Sequence, residues 1–481
     1  MATWQRPKEE IFEHIEPEYA REAVQERIRH YMSRSRRKVV VLDDDPTGTQ
    51  TVHDVTVITR WDVPTLVELF RKTDRVFYIL TNSRSVAERQ AISLTREIVG
   101  MLCEASHQTG IEFSLVSRSD STLRGHYPAE VDEAMEVLNS QLGIDFAGQV
   151  ILPAFFEGGR YTIDDIHWVE DQGTLVPVGQ TEFAKDPAFG FTSSNLCEWV
   201  ASKTAGRVKQ SQVYSIPLSI IRQEGPDGVS RLLHKAASAT PIICNAASYA
   251  DIEVLVAAFI KAEANGKHYI YRTAASFVPI YGGVPLQPPL SPEAFRNRIA
   301  NRNVASNAGG LIVVGSHVKR STGQLEKLIE TESLVSIELN VERLISSNRQ
   351  AEITRVVRAV DDSITRGEDT VVYTSRKTIT GTDGDEYLKI GDIVSSSLVD
   401  IVRNMNTPPR FIVAKGGITS SVLATEALEC KSALVLGQII PGVPVWELGA
   451  ESLQPGMPYV VFPGNVGDDY GLVSVLDILA N

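Results

Sequence analysis

Cysteine is scarce in this chain. Its four cysteines (Cys103, Cys197, Cys244 and Cys430) lie far apart and form no Cys-x-x-Cys pair. That argues against a disulfide framework or a cysteine-based zinc site and suits a reducing compartment. No apolar run approaches the roughly 20 residues needed to span a bilayer. The first ten residues contain acids and lack the apolar core of a signal peptide, so the protein is expected in the cytoplasm, away from membranes. An excess of basic charge is also missing: 47 Lys and Arg against 60 Asp and Glu leave a net charge of -13. This disfavours a nucleic-acid partner held by bulk electrostatics, while leaving room for a local basic pocket that takes a small anion. Two nucleotide-binding signatures are absent. There is no GxxxxGK[ST] phosphate loop, and no GxGxxG followed by its acid. His126 and His167 have no neighbours at metal-ligand spacing, and no protein-borne metal site is assigned.

What is present is an alternation of strand and helix signals over a length that calls for two domains. Hydrophobic residues make up 43% and charged residues 22%, as in ordinary soluble domains. The run Lys38-Val-Val-Val-Leu-Asp43 is apolar on both faces, the mark of a buried parallel strand. Further strands are read at Val55–Ile58, Val76–Leu80, Phe113–Ser117, Gln149–Pro153, Val213–Ile216, Pro241–Cys244 and Tyr269–Tyr271, with helices between. A segment rich in Pro and Gly, 281–292, cannot continue a helix or central strand. After it a second series begins, with strands at Gly310–Ser316, Leu334–Glu338, Thr370–Thr374, Phe411–Ala414, Ala433–Leu436 and Tyr459–Phe462. The expected fold is therefore α/β: two three-layer domains with largely parallel sheets and an active site in the interdomain cleft. The expected division is an N-terminal extension (1–36, with an amphipathic helix over Glu18–Tyr31), a first domain (37–280), a linker (281–292) and a second domain (293–481). Residues 158–194 break the alternation and read as an inserted hairpin or lid.

Three strand ends of the first half are rich in chemistry: Asp44-Asp45, Asn82-Ser83-Arg84, and Arg118 followed by Asp120, Arg124 and Gly125. Parallel strands expose their carboxyl ends on one edge, so these groups are expected to converge. Arginine holds a carboxylate through two parallel charge-assisted bonds, and a neighbouring aspartate can orient a hydroxyl or accept its proton. The set suits a small polyhydroxy acid. Arg160, on a glycine turn, is a further candidate anion ligand. In the second half, glycine turns follow three apolar strands, at Gly315-Ser316, at Gly416-Gly417-Ile418-Thr419 and at Gly464. Such turns let backbone N–H groups approach phosphates.

Together these stretches resemble the four-carbon acid sugar kinase family, which includes threonate, erythronate and 3-oxo-tetronate kinases. The likeness runs from about Lys38 to the C-terminus. It rests on Asp44-Asp45-Pro46-Thr47-Gly48, Asp120-Ser-Thr-Leu-Arg-Gly125, Gly159-Arg160-Tyr161-Thr162 and Asp186-Pro187, and then on Gly416–Ser420, Pro441–Pro444 and Gly464–Gly467. Three positions depart from the family pattern: Arg118 stands where lysine is common, and Asp43 and Pro46 replace alanine and leucine. The resemblance implies a sugar-acid module followed by an ATP module. It implies an acid-sugar site lined by Asp44, Asp45, Arg84, Asp120 and Arg124, to which Arg118 and Arg160 are added here as further substrate ligands, and ATP contacts at Ser316, Gly416, Gly417, Ile418, Thr419 and Gly464. Phosphoryl transfer from ATP with Mg²⁺ would use Asp45 or Asp120 to orient the acceptor hydroxyl and take its proton, the sequence not choosing between them. A homo-oligomer is compatible with all of this. Two rivals remain at this point: an aspartate-nucleophile phosphohydrolase built on Asp43-x-Asp45-x-Thr47 with Asp468-Asp469, and a non-catalytic nucleotide-binding protein.

Overall fold

The computed structural model describes residues 5–300, 308–316, 318–331, 334–376 and 384–480. The chain folds as two compact units. One comprises residues 1–51 and 61–286, the other residues 52–60 and 287–481.

The first unit is built on seven parallel strands. In spatial order they are Tyr214–Ile216, Thr240–Cys244, Phe146–Leu152, His268–Thr273, Phe113–Arg118, Lys38–Asp43 and Val76–Leu80. Every residue of Lys38–Asp43 and of Val76–Leu80 is buried, as their unbroken apolar character requires. Lys38 and Asp43, at the two ends of the first of these, are the exceptions in kind; Lys38 is internally compensated. Its ammonium is satisfied by the carbonyls of Lys72 and Asp74. The helices Glu88–Thr109 and Ala129–Leu142 each end on a left-handed glycine, Gly110 and Gly143, which releases the chain into the next strand. Below the sheet's centre, Glu263 is buried among aromatic rings and accepts hydrogen bonds from Tyr271 and Tyr281, both at 2.7 Å.

The segment read as a hairpin or lid is a three-stranded antiparallel meander, Arg160–Ile163, Ile166–Asp171 and Thr174–Pro177, extended by a short strand at Arg6–Pro7. The N-terminal residues are thus part of the first unit. Their helix, Arg21–Arg34, buries Val24 and Ile28. It is anchored by Arg21 and Gln25, which both donate to the Glu253 carboxylate at 2.6–2.9 Å.

The second unit joins five parallel strands, Leu334–Leu339, Asp369–Thr374, Leu311–Val314, Ile412–Lys415 and Pro458–Phe462, to an antiparallel flank of Val443–Leu448, Ser432–Ile440 and Val55–Ile58. One sequence reading is corrected here: Val55–Ile58 groups with the second unit, where Val57 pairs with Ala433. Val443–Leu448 is a strand for which the sequence analysis offered no reading; Pro441-Gly442 is the hairpin turn before it.

If residues 1–36 are integral to the first unit, Val24→Asp places a charge in its core and lowers stability by about 2–4 kcal/mol. Urea unfolding should show the shift; an unchanged midpoint would mean that the helix is only an appendage.

Candidate functional site

The first unit gathers its charges at the carboxyl edge of the sheet. The register makes this possible: Asp43 lies opposite Leu80 on one side and Arg118 on the other, so three strands end level. Backbone bonds carry the alignment past the strands, with Thr81 N–H donating to Asp43 O at 2.9 Å and Asp44 N–H to Arg118 O at 3.3 Å.

Arg84 is the hub. It donates to the Asp45 carboxylate and lies 3.2 Å from Asp120 and 4.0 Å from Asp44. Arg124 donates to the two Asp120 oxygens at 2.8 and 3.3 Å and reaches Asp186 at 3.7 Å. Asp186 comes from the loop that follows the meander. The same loop sets the Phe183 ring 5.2 Å from the Arg124 guanidinium. Asp45 also accepts from the Thr47 N–H (2.9 Å) and hydroxyl (2.6 Å), and Thr122 donates to Asp120.

Arg118 is placed one layer deeper than the sequence suggested. It is buried, donates to Gln50 at 2.9 Å, and faces Asp43 at 3.6 Å and Asp44 at 4.0 Å. Arg160 lies buried in the meander, its guanidinium close to Gly158 and within electrostatic reach of His167. His167 donates through Nε2 to Ser121 O at 2.7 Å and accepts through Nδ1 from Thr162 at 3.0 Å. Burial pushes its pKa down to about 4, so it is a neutral brace beneath the Asp120 loop. His126 likewise braces, against the carbonyls of Ser83 and Val86.

These neighbours divide the carboxylates into two kinds. Burial opposes ionisation of Asp120, but Arg124 and Arg84 override it and hold the group well below the usual range. Asp45 is lowered in the same way, burial being outweighed by Arg84 and Thr47. For Asp44 and Asp43 burial prevails, and both are raised, Asp43 strongly. The oxygens of both accept no hydrogen bond among the described residues. Asp43 is sealed by the turn above it: a methyl group on Gly48 would overlap its carboxylate, so only glycine fits there.

Sequence reasoning missed two groups here. Glu130, half-buried in the first turn of its helix, lies in the field of Asp44, Arg84 and Arg272, and burial pushes it up to about 7. Arg272 is the penultimate residue of the strand His268–Thr273, beside the cluster. The local signal for Glu130 was an acid just after a helix-opening proline; Arg272 was hidden in an apolar strand.

In the second unit the three predicted turns meet. Val314 lies opposite Lys415, and Lys415 opposite Phe462, so the ends of these strands are level. Gly416 N–H donates to Phe462 O at 2.8 Å. Gly416 has φ +114°, and a Cβ there would sit 3.0 Å from that of Ser316. Gly464 approaches the Ser316 hydroxyl comparably, at 3.7 Å from where its Cβ would be. Gly417 opens the short helix Gly417–Val422, Thr419 is buried, and Ile418 is 63% exposed beside them. Three residues not foreseen from the sequence hold the turns together. Ser321 donates to Ser316 Oγ at 3.1 Å or Gly464 O at 3.2 Å. Lys415 is fully buried and donates to Pro463 O at 2.6 Å. Arg376 binds Ser316 O at 2.8 Å and Thr374 O at 2.9 Å.

One unit presents an arginine–aspartate cluster and the other a set of converging backbone turns, which defines a bipartite enzyme with separate modules for an anionic substrate and a nucleotide. The comparisons agree. A sugar-binding N-terminal domain matches residues 39–280 and a nucleotide-binding C-terminal domain residues 311–472. The chain is 23% identical to the D-threonate kinase of Salmonella typhimurium strain LT2 over 454 residues, 91% of this chain and 97% of that one. It is 26% identical to the D-erythronate kinase of Heliobacterium modesticaldum over 340 residues, 68% of each. In fold it is similar to a Salmonella typhimurium LT2 chain described as a candidate tRNA synthase (TM-score 0.66, 16% identity, covering 91% of this chain and 98% of that one). It is similar also to Haemophilus influenzae protein HI1011 (TM-score 0.59, 15% identity, 92% and 100%). The chain belongs to the four-carbon acid sugar kinase family, a class of ATP-dependent phosphotransferases.

Two outcomes test the geometry. A carboxyl whose folded pKa is raised binds more protons folded than unfolded, so its contribution to stability is fully present below the unfolded value near 3.9 and is lost as pH rises through the folded one. Wild type should therefore lose stability relative to Asp43→Asn as pH increases from about 4 toward neutrality, by at most about 1.4 kcal/mol per pH unit; parallel urea titrations across pH would show a flat difference if Asp43 were instead stabilised as an anion. In the second unit, Lys415→Met removes the tie between two turns and should raise KM for ATP about tenfold with KM for the acceptor unchanged. An unaltered KM for ATP would separate Lys415 from the nucleotide site.

Proposed function

We propose that this chain transfers the γ-phosphoryl group of ATP to a hydroxyl of a small acid sugar, either a four-carbon acid such as threonate, erythronate or a 3-oxo acid, or a related branched acid. The observation that carries this reading is the Arg84 hub. A guanidinium bridging Asp45 and Asp120, next to a buried Asp44 with unused acceptor oxygens, provides both charge for a carboxylate and acceptors for hydroxyls. The names of the two kinase relatives support the substrate class.

In this mechanism Arg84 and Arg124 hold and orient the acid sugar. Asp45 and Asp120, kept ionised by their arginines, accept hydrogen bonds from its hydroxyls but are weak bases. Asp44 is the better candidate to receive the acceptor proton, because burial raises its proton affinity and its oxygens are not engaged. Arg118 and Gln50 act from beneath, fixing the charge behind Asp44. In the second unit, Ser316, Gly416, Gly417, Ile418, Thr419 and Gly464 contact ATP, largely through backbone. Among the described residues no group of three or more His, Cys, Asp or Glu gathers to hold a metal by itself. A Mg²⁺ ion would come with the nucleotide, retain several waters and neutralise phosphate charge during transfer, leaving Asp44 to the proton. The phosphohydrolase alternative fits poorly, because its nucleophile would be Asp43, which is fully buried beneath Gly48.

The test is a coupled ADP-release assay with threonate, erythronate, 3-oxo and branched acids. Substrate-dependent ADP from at least one acid is expected, and none from a broad panel would count decisively against the proposal. With that substrate, Asp44→Asn should lower kcat by about a hundredfold or more, whereas retention of wild-type kcat would return the base to Asp45 or Asp120.

A further inference from the structure

Arg272 differs from every other arginine at the edge of the first sheet. Arg84 is neutralised by Asp45 and Asp120, Arg124 by Asp120 and Asp186, and Arg118 by Asp43 and Asp44. Arg272 is only 2% exposed, and no carboxylate among the described residues lies within 4.0 Å of it. Its guanidinium carbon stands 5.2 Å from the Tyr127 ring and 5.0 Å from the Trp199 ring, and these two rings stack on each other at 4.7 Å. Among the described residues it donates a hydrogen bond to the carbonyl of Arg124, at 3.3 Å. A buried cation without a carboxylate is costly unless something else offsets it, and two aromatic faces supply part of that.

The position is as telling as the company. The strand His268–Thr273 runs parallel beside Phe113–Arg118, with Arg272 opposite Ser117 and Thr273 opposite Arg118. Arg272 therefore lies at the level where the Arg118–Gly125 loop leaves the sheet, in the field of Asp44, Asp120 and Glu130. The other cation in its field, Lys203, donates to the carbonyls of Phe189 and Gly190 rather than to an acid.

We propose that Arg272 is the specificity-determining residue for the carboxylate end of the acid sugar: its buried charge, which has no ion-pair partner among the described residues, biases the first unit's pocket toward an anion, while Arg84 and Arg124, already paired, hold and orient the ligand. The inference rests on the acid-sugar reading above and assigns its anion selectivity to a residue outside the motifs. The charge acts through a low-dielectric interior, where it is weakly screened, and does not require Arg272 to touch the ligand.

The experiment is calorimetric titration of the full chain with the preferred acid sugar and with its primary amide, which has the same hydroxyls and no charge. Wild type should favour the acid by about a hundredfold. Arg272→Met and the closer isostere Arg272→Gln should cut that preference to within a few-fold, leaving affinity for the amide and for ATP near wild type. Arg272→Lys keeps the charge and should keep most of the preference. The proposal is overturned if either neutral variant retains the discrimination, if acid and amide weaken equally, as a packing role would cause, or if the lysine variant loses the preference as fully as the methionine variant. Should Met and Gln both fail to fold, loss of the preference in a folded Lys variant still overturns it, and its retention supports it. Failure of the acid-sugar reading itself looks different: wild type would bind neither ligand and release no ADP.

Discussion

The burial of charge at one sheet edge is the constraint on which the first unit depends. Three arginines, Arg84, Arg118 and Arg124, and five aspartates, Asp43, Asp44, Asp45, Asp120 and Asp186, are packed into strand ends and the loops that follow. Any one of them alone would be driven out by desolvation; together they offset most of one another's cost. This is why the strands must end level, why Gly48 must be glycine, and why His126 and His167 are committed to bracing loop carbonyls. A frame with so little tolerance keeps its polar groups in place before a ligand arrives, which lowers the ordering cost of binding.

Four carboxylates of the same chemical type acquire different roles from their surroundings. Asp45 and Asp120 sit against guanidiniums and hydroxyls that stabilise the anion, whereas Asp43 and Asp44 sit where burial is the larger influence. Environments that drive like groups apart are how a site separates anion-like acceptors from a proton carrier. Here the separation follows from which neighbouring strand supplies an arginine tip. Arg84 and Arg124 arrive from loops above the edge and reach Asp45 and Asp120, while Arg118, the last residue of its strand, stays below and meets Asp43 at longer range.

Much of this was legible in the chain. The Lys38–Asp43 run, with apolar residues on both faces, identified a central strand, and strand-end chemistry at Asp44, Arg84 and Asp120 identified the edge that matters. The glycine turns at 416 and 464 marked strand ends of the second unit that do come together. What was not legible depends on depth and partnership, which a linear pattern does not encode. Arg118 and Arg84 read alike, yet one is a buried brace and the other a hub. Arg272 sits in an apolar strand and offers no motif; its significance lies in making no ion pair among the described residues. Val443–Leu448 followed a proline–glycine signal that ordinarily ends structure, and only its pairing with Ser432–Ile440 and Pro458–Phe462 makes it a strand. Val55–Ile58 was recognised as a strand, but its membership of the second unit is a tertiary fact.

The second unit solves a different recognition problem with different means. A polyphosphate is large, heavily charged and identical in every encounter, so it can be met by backbone groups on turns whose shape does not vary. The cost of that strategy is geometric, because such turns have few side chains of their own to hold them. Ser321, Lys415 and Arg376 supply the holding, each donating to carbonyls or hydroxyls of the turns or adjoining strand ends rather than engaging an acid. Lys415 carries the argument furthest. Burial drives its ammonium well below its usual pKa, and Arg320 adds repulsion, yet it is placed where a bond to Pro463 O and the face of Phe462 are its compensation. A phosphate chain arriving at these turns would bring the negative charge that such an ammonium lacks. Nucleotide binding and the ionisation of Lys415 should therefore favour one another, so that the group which fixes the turns would also strengthen their hold on a phosphate chain.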